Sequence, residues 1–342
     1  MSGTAHFDPA LGAWMLSSYA DVSAALRDAR LSGSGADAAF RHAQEAFRNA
    51  ATHALSMQRL AAWRVEMERS AIRCAEGLPD HEPVDLVAAF ARPWATEVAS
   101  IVSGASLAES TRLAVLAREI FLAAALATSA APQPETHRAI ADLSRSLSGP
   151  EPMIAVQTFV ALSQTLPCVL AGAWLHLLRH PDTMHQIRTM PGLVSRCVDE
   201  LLRLASPSRA VFRTANADAR IGAANIANGE HVILMLAAAN LDPAQFADPT
   251  RLDPARGAAG HLALGLGMHP CLGAALVRVA VASATIALLQ ATTHGELSGE
   301  PEWLDGFSIR APVTLPVLLR RSVSRRWPPS IHASAPDSKD AN

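Results

Sequence analysis

The stretch Leu264-Gly265-Leu266-Gly267-Met268-His269-Pro270-Cys271-Leu272-Gly273 constrains this chain more than any other. The apolar run Ala274 to Gln290 follows it and reads as a long helix. Cys271 therefore stands just ahead of a helix start, where free N–H groups and the helix dipole favour a thiolate. Gly265, Gly267 and Gly273 let the loop turn with no side chains in the way, so a flat, bulky group can lie against the backbone. No second cysteine stands nearby, which argues against a zinc or iron–sulfur site. The pattern suits one axial thiolate, Cys271, on a heme iron. A Gly-rich loop around a structural cysteine is the simpler alternative.

Size and composition narrow the rest. A chain of 342 residues can bury a large core. Half of it is hydrophobic, with alanine prominent, which suits helices, and its single tyrosine and few aromatics argue against a β-sandwich. A net charge of −2 leaves no basic footprint for nucleic acid. Cys74, Cys168, Cys197 and Cys271 are widely spaced and suggest no disulfide framework, as expected in a reducing cytoplasm. The early His6, Asp8 and Pro9 do not read as a signal peptide. No stretch reaches the ~20 uninterrupted apolar residues of a membrane span. The expectation is a soluble, cytoplasmic protein that binds neither nucleic acid nor membrane.

The loop resembles the heme-binding loop of cytochromes P450, Phe-Gly-x-Gly-x-His/Arg-x-Cys-x-Gly, with Leu264 in place of the phenylalanine. Further motifs follow in the family's order. Glu200-Leu201-Leu202-Arg203 is its Glu-x-x-Arg pair, whose members share one helix face. The resemblance implies a buried ion pair joined by Arg256. Arg213-Thr214-Ala215-Asn216-Ala217-Asp218 matches Arg-x-Ala-x-x-Asp, and Ala238 to Pro249 follows the structural meander, with Leu241 in place of its arginine. Through the resemblance, Arg213 and His269 pair with heme propionates, and Arg48 joins them. Gln44 stands where the family has a histidine, and His42 and His53 are out of register. Gly265, Gly267 and Gly273 complete the cofactor-binding set. An ordinary surface charge is the alternative for each of the cations.

Met153 to Arg179 reads as a long central helix, apolar nearly all round and therefore buried. Ala161-Leu162-Ser163-Gln164-Thr165-Leu166 lies where the family has Ala-Gly-x-Asp/Glu-Thr-Thr. The resemblance makes Thr165 and Gln164 the catalytic candidates, Thr165 as the alcohol that helps deliver protons during oxygen activation. Gln164 replaces the acid, and an amide does not shuttle protons as a carboxylate does. Leu162 replaces the glycine that lets the helix bulge, and Pro167 is expected to kink it. A Thr165 hydroxyl bonded to the preceding turn is the alternative reading.

Other helices are expected over Tyr19 onward, Phe40–Met67, Leu107–Thr128, Ala139–Ser148, Met184–Met190 and Leu193–Leu204, with short strands after Pro207. The segments Gly104 to Ala161 and Ser32 to Arg48 are short for the helices and loop that roof the family's substrate pocket. The resemblance thus implies a truncated cytochrome P450 fold, mainly α with a small β region. Residues 1–325 would form one heme domain and 326–342 a disordered tail. It implies heme b (iron protoporphyrin IX) as cofactor and a monooxygenase oxidising a small organic substrate in bacterial secondary metabolism. Electrons would come from a ferredoxin and its reductase. Two alternatives stay open: a heme-thiolate enzyme that uses peroxide or rearranges its substrate, and a non-catalytic partner protein.

Overall fold

The computed structural model describes residues 5–33, 38–125, 134–147, 151–190, 192–256 and 260–322. Helices α1 (Tyr19–Arg27), α2 (Ala38–Ala54), α3 (Met57–Glu76), α4 (Arg92–Ser103), α5 (Ser110–Ala125) and α6 (Pro134–Ser146) come first. Next are α7 (Pro152–Val160), α8 (Leu166–Arg179), α9 (Pro181–Thr189), α10 (Leu193–Ala205), α11 (Leu236–Ala239) and α12 (Ala274–Ala291). Strands β1 (His6–Asp8), β2 (Ala13–Leu16), β3 (Leu31–Ser32) and β4 (Pro83–Asp85) lie among the early helices. Between α10 and α12 come β5 (Val211–Ala215), β6 (Ala219–Ile221), β7 (Ala224–Ile226) and β8 (His231–Leu234). After α12 come β9 (Thr292–Leu297), β10 (Trp303–Asp305), β11 (Arg310–Pro312) and β12 (Pro316–Arg321). The fold is mainly α with a small β region. The 326–342 tail lies outside the described residues, and Arg320 and Arg321, at the start of the charged C-terminal stretch, close β12.

Local chemistry sets several boundaries. The Asp21 N–H donates to the Ser18 hydroxyl at 3.1 Å, which starts α1. One helix was expected over Phe40–Met67, but the chain breaks at Leu55–Ser56. Ser56 is extended (φ −61°, ψ 155°) and begins α3. Helix α6 starts earlier than expected, at Pro134, because proline is tolerated in a first turn.

Helices α7 and α8 form one 28-residue unit, Pro152–Arg179, interrupted by a π turn at Ala161–Thr165. Here two expectations are corrected. The helix bulges although Leu162 is no glycine, and the irregularity expected at Pro167 is taken up just ahead of it. Pro167 has no N–H for the Ser163 carbonyl, and its ring would crowd that oxygen in a regular turn. The wider π turn relieves both problems.

This unit and α12 are long and apolar enough to cross a membrane by length and composition. Both contribute to the main core, which demands the same composition. Phe90 stacks on Trp174 with centroids 5.1 Å apart. Trp94 is fully buried, and its indole N–H donates to the Met67 carbonyl and the Ser70 hydroxyl. The Trp94 polar end is thereby satisfied.

A second, smaller core lies between α1 and a five-stranded sheet of order β1-β2-β8-β5-β3. Within it β2 runs parallel to β8, and β5 runs antiparallel to β8. Strand β5 carries side chains alternately to its two faces. Arg213 and Val211 share one side and line the cavity described next, while Phe212 is 49% exposed and stacks on Phe307.

Candidate functional site

The loop ahead of α12 is held in shape by its own backbone. The Cys271 N–H donates to the Leu264 carbonyl at 2.7 Å, and the Ala274 N–H donates to the Cys271 carbonyl at 3.2 Å. Gly265 and Gly267 are left-handed, with φ of +69° and +71°. A Cβ on Gly267 would also run into the Leu26 carbonyl, where the loop docks against the end of α1. Gly267→Ala is therefore expected to cost about 1–3 kcal/mol from backbone strain alone, and more from the clash. A thermal melt and the fraction of purified protein that retains heme would check this. A variant as stable and as heme-loaded as the parent would contradict the docking.

A cavity of about 430 Å³ opens above the sulfur. Cys271, His269, Gly265 and Gly273 line it from the loop, Arg48 from α2, Arg213 from β5, and Leu162 and Thr165 from the π turn. By surface area Cys271 is exposed, and it lines the cavity. The thiol is enclosed enough that burial pushes its pKa up, against the opposing pull of the Gly273 N–H, Arg278 and Arg48. Without a cation at the sulfur, the thiol form is favoured.

Three basic side chains face the same space. Arg48 reaches the Pro270 carbonyl at 3.2 Å, and Arg213 donates to the Phe212 carbonyl at 2.8 Å. Burial holds Arg213 below its ordinary pKa. Burial also lowers His269, with repulsion from Arg213 and Arg48 adding to it. No carboxylate lines this cavity among the described residues. The walls thus carry the unmatched positive charge of Arg48 and Arg213, with neutral His269 beside them, around a soft sulfur donor. Heme b fits both needs: its iron matches the sulfur, and its two propionates match Arg48, Arg213 and His269. A Cβ on Gly273 would meet nothing within 4 Å, so that edge of the loop leaves room for a flat ring.

Of the two catalytic candidates, only Thr165 faces this cavity. Its hydroxyl makes no hydrogen bond among the described residues, including to the preceding turn. Gln164 lies elsewhere. It donates to the Ala114 carbonyl at 3.1 Å and to the Ser163 hydroxyl at 3.2 Å, and it lines a different cavity beside α5. Adjacent residues of one helical turn point in different directions, and the extra residue of the π turn sends this one away. Leu162, Leu166, Val169 and Ile154 give the Thr165 side an apolar wall, and Gln157 and Thr158 add polar groups that the motifs had not signalled. The Gln44 side chain lies outside the described residues.

Behind the loop sits the ion-pair network. Arg203 donates to Glu200 through Nε at 2.7 Å and Nη2 at 2.8 Å, and both side chains are 1% exposed. Arg256 adds a bond to Glu200 Oε1 at 2.9 Å. Arg203 also donates to the carbonyls of Asn240 and Pro249, each at 2.7 Å, and so ties α10 to the meander.

A second network was not foreseen. Asp199 accepts from His261 Nε2 at 3.0 Å and from Arg278 Nε at 2.7 Å. Burial alone would raise the Asp199 pKa, but these two bonds outweigh it and hold it low. The His261 Nδ1 accepts the Ala263 N–H at 3.2 Å, one residue before Leu264. These three side chains position the start of the Cys271 loop and the first turns of α12. The only hint in the sequence is that Asp199 adjoins Glu200.

A sequence model described as Cytochrome P450 matches residues 175–303. Cytochrome P450 105C1 of a Streptomyces species is 42% identical over 135 residues, 38% of this chain and 34% of the relative. The biotin biosynthesis cytochrome P450 of Bacillus subtilis is 36% identical over 159 residues, 46% of this chain and 40% of the relative. The chain thus matches about a third to two-fifths of the length of these curated relatives. Thr165, Gln164 and Arg48 lie outside the residues of the family match.

Among solved structures, the LnmA cytochrome P450 hydroxylase from the leinamycin pathway of Streptomyces atroolivaceus is 26% identical with a TM-score of 0.76, covering 90% of each chain. CYP109B1 of Bacillus subtilis shares the fold with a TM-score of 0.78 at 22% identity, over 92% of this chain and 95% of that one. The matched sequence carries the buried ion pair, Arg213 and the Cys271 loop, and the fold is shared over nine-tenths of the chain: residues 175–303 are similar in sequence to cytochromes P450, and the chain has the cytochrome P450 fold.

Proposed function

We propose that the protein is a heme-thiolate monooxygenase that oxidises a small organic substrate. Its setting would be bacterial secondary metabolism in the cytoplasm, with electrons from a ferredoxin and its reductase. The observation that carries this reading is one cavity lined by a lone cysteine, two arginines with no facing carboxylate, His269 and the Thr165 hydroxyl, which is unbonded among the described residues.

Heme b, when bound, supplies the oxygen activation and transfer. The chain supplies the rest. The Cys271 backbone is pinned through its N–H on the Leu264 carbonyl, which fixes where the side chain starts. The Gly273 N–H and the nearby cations favour the thiolate. Arg48, Arg213 and His269 hold carboxylates at one edge of the cavity. Leu162, Leu166 and Val169 exclude water and accept an apolar substrate. Thr165 is placed to hold a proton-carrying water at its hydroxyl, and Gln157 and Thr158 extend the polar path along α7. Gln164 takes no part on this side.

Purified protein loaded with heme, given a ferredoxin, its reductase and a panel of small apolar compounds under ¹⁸O₂, is expected to yield a product carrying one labelled oxygen. No carboxylic acid lines the cavity among the described residues, and this favours one second reading, a peroxide-using enzyme. Unlabelled product formed only with hydrogen peroxide would overturn the first reading in favour of that one.

A further inference from the structure

Across the central helix from Cys271 lies a larger cavity of about 800 Å³. It is not an extension of the space above the sulfur, since the two have no lining residue in common. Its walls come from α4, α5, the π turn and the β10–β11 hairpin. Much of that wall is apolar. Leu107, Val115 and Trp303 line it and are 54%, 57% and 37% exposed, although large hydrophobic side chains are costly to leave in water.

Arg92 and Arg118 open onto the same wall. Neither guanidinium has a hydrogen-bond or ion-pair partner among the described residues. An unpaired arginine on an open surface is ordinary. These two border an apolar cavity whose one lining carboxylate, Glu97, is committed to Arg73 at 2.5 Å. Positive charge without a counterion, set beside exposed apolar surface, complements a ligand with an anionic head and an apolar body.

We propose that this cavity is a second ligand site, independent of the heme cavity, that takes an amphipathic carboxylate. Its head group is directed to Arg92 and Arg118, and its apolar body lies against Val115 and Trp303. The size falls in the range of small-molecule sites, and the guanidinium fork favours a planar carboxylate over a rounder anion.

Equilibrium dialysis of the heme-loaded full chain with decanoate tests this, with decanol and decyltrimethylammonium as probes of matched length. Wild-type protein is expected to bind decanoate at least about tenfold more tightly than either matched probe. The double variant Arg92→Gln/Arg118→Gln is expected to lose at least about tenfold in decanoate affinity while its decanol affinity stays unchanged. Ala114→Trp, which fills the cavity without touching its charge, is expected to weaken all three probes at this site. Equal decanoate binding by the wild type and both variants would place the probe elsewhere and overturn the proposal. A wild-type preference for decanol or the cation would overturn its charge assignment. Both variants alter α4 or α5 and leave the Cys271 loop intact, so a failure of heme chemistry would not be mistaken for a failure here.

Discussion

Cys271→Ser is expected to abolish thiolate-ligated heme: the reduced, carbon-monoxide-treated protein should lose the thiolate-type absorption entirely. The physical reason is that no other cysteine lines this cavity among the described residues. Cys168 and Cys197 are held as thiols by burial, with pKa values of about 11 and about 12. Cys168 lines the cavity beside α5, and neither Cys74 nor Cys197 lines the one above the loop. A serine hydroxyl on the same backbone ionises far less readily than a thiol, so the Gly273 N–H and Arg278, which oppose burial at the sulfur, do not bring it to an anion. The substitution is small and the loop's shape rests on backbone bonds, so the circular dichroism spectrum should be unchanged. A serine variant that kept the parent's carbon-monoxide spectrum would remove Cys271 from the metal.

Glu200→Ala is expected to be strongly destabilising. It leaves Arg203, 1% exposed, and Arg256, 14% exposed, with no carboxylate between them. Breaking a buried pair from one side costs about 3–5 kcal/mol, against a total of about 5–15 kcal/mol for a typical domain. The variant should therefore show a much lower urea midpoint or fail to accumulate in soluble form. A loss below about 1 kcal/mol would put the pair among surface ion pairs and contradict its burial.

The pH dependence has a definite sign. Burial alone would raise the Glu200 pKa, but the hydrogen bonds and charges of Arg203 and Arg256 outweigh it and hold it below the ordinary value. A carboxylate lowered by folding contributes stability that is fully present above its unfolded pKa, about 4.3. That contribution is lost as pH falls through the lower folded value. The parent should thus lose stability on acidification through this range more steeply than the variant.

Much of this site is legible from residue order. The Glu-x-x-Arg spacing places Glu200 and Arg203 on one helical face, and the structure adds Arg256 as expected. The glycines of the Cys271 loop announce the left-handed turns at 265 and 267. What could not be read is direction. Gln164 and Thr165 are neighbours, and a π turn decides which of them faces which cavity; no count of apolar spacing foresees one extra residue in a turn. The Asp199–His261–Arg278 network is hidden for another reason. Its members are residue types usual on surfaces, and only the packing of α10 against α12 buries the aspartate they share. The break at Leu55–Ser56 was within reach, since serine often begins a helix, but the apolar periodicity runs on across it.

The π turn at Ala161–Thr165 is, in effect, a helix carrying one spare residue. Excising a single residue there, with Pro167 replaced by Ala so that no ring crowds the carbonyl four residues back, would let the turn close into ordinary α geometry without shifting α7 or α8 along the axis. The flanks would keep their seats in the core, and the rearrangement would be confined to which side chains look into each of the two hollows on either side. Such a shortened chain would separate what this segment does for stability from what it does for the ligands it faces.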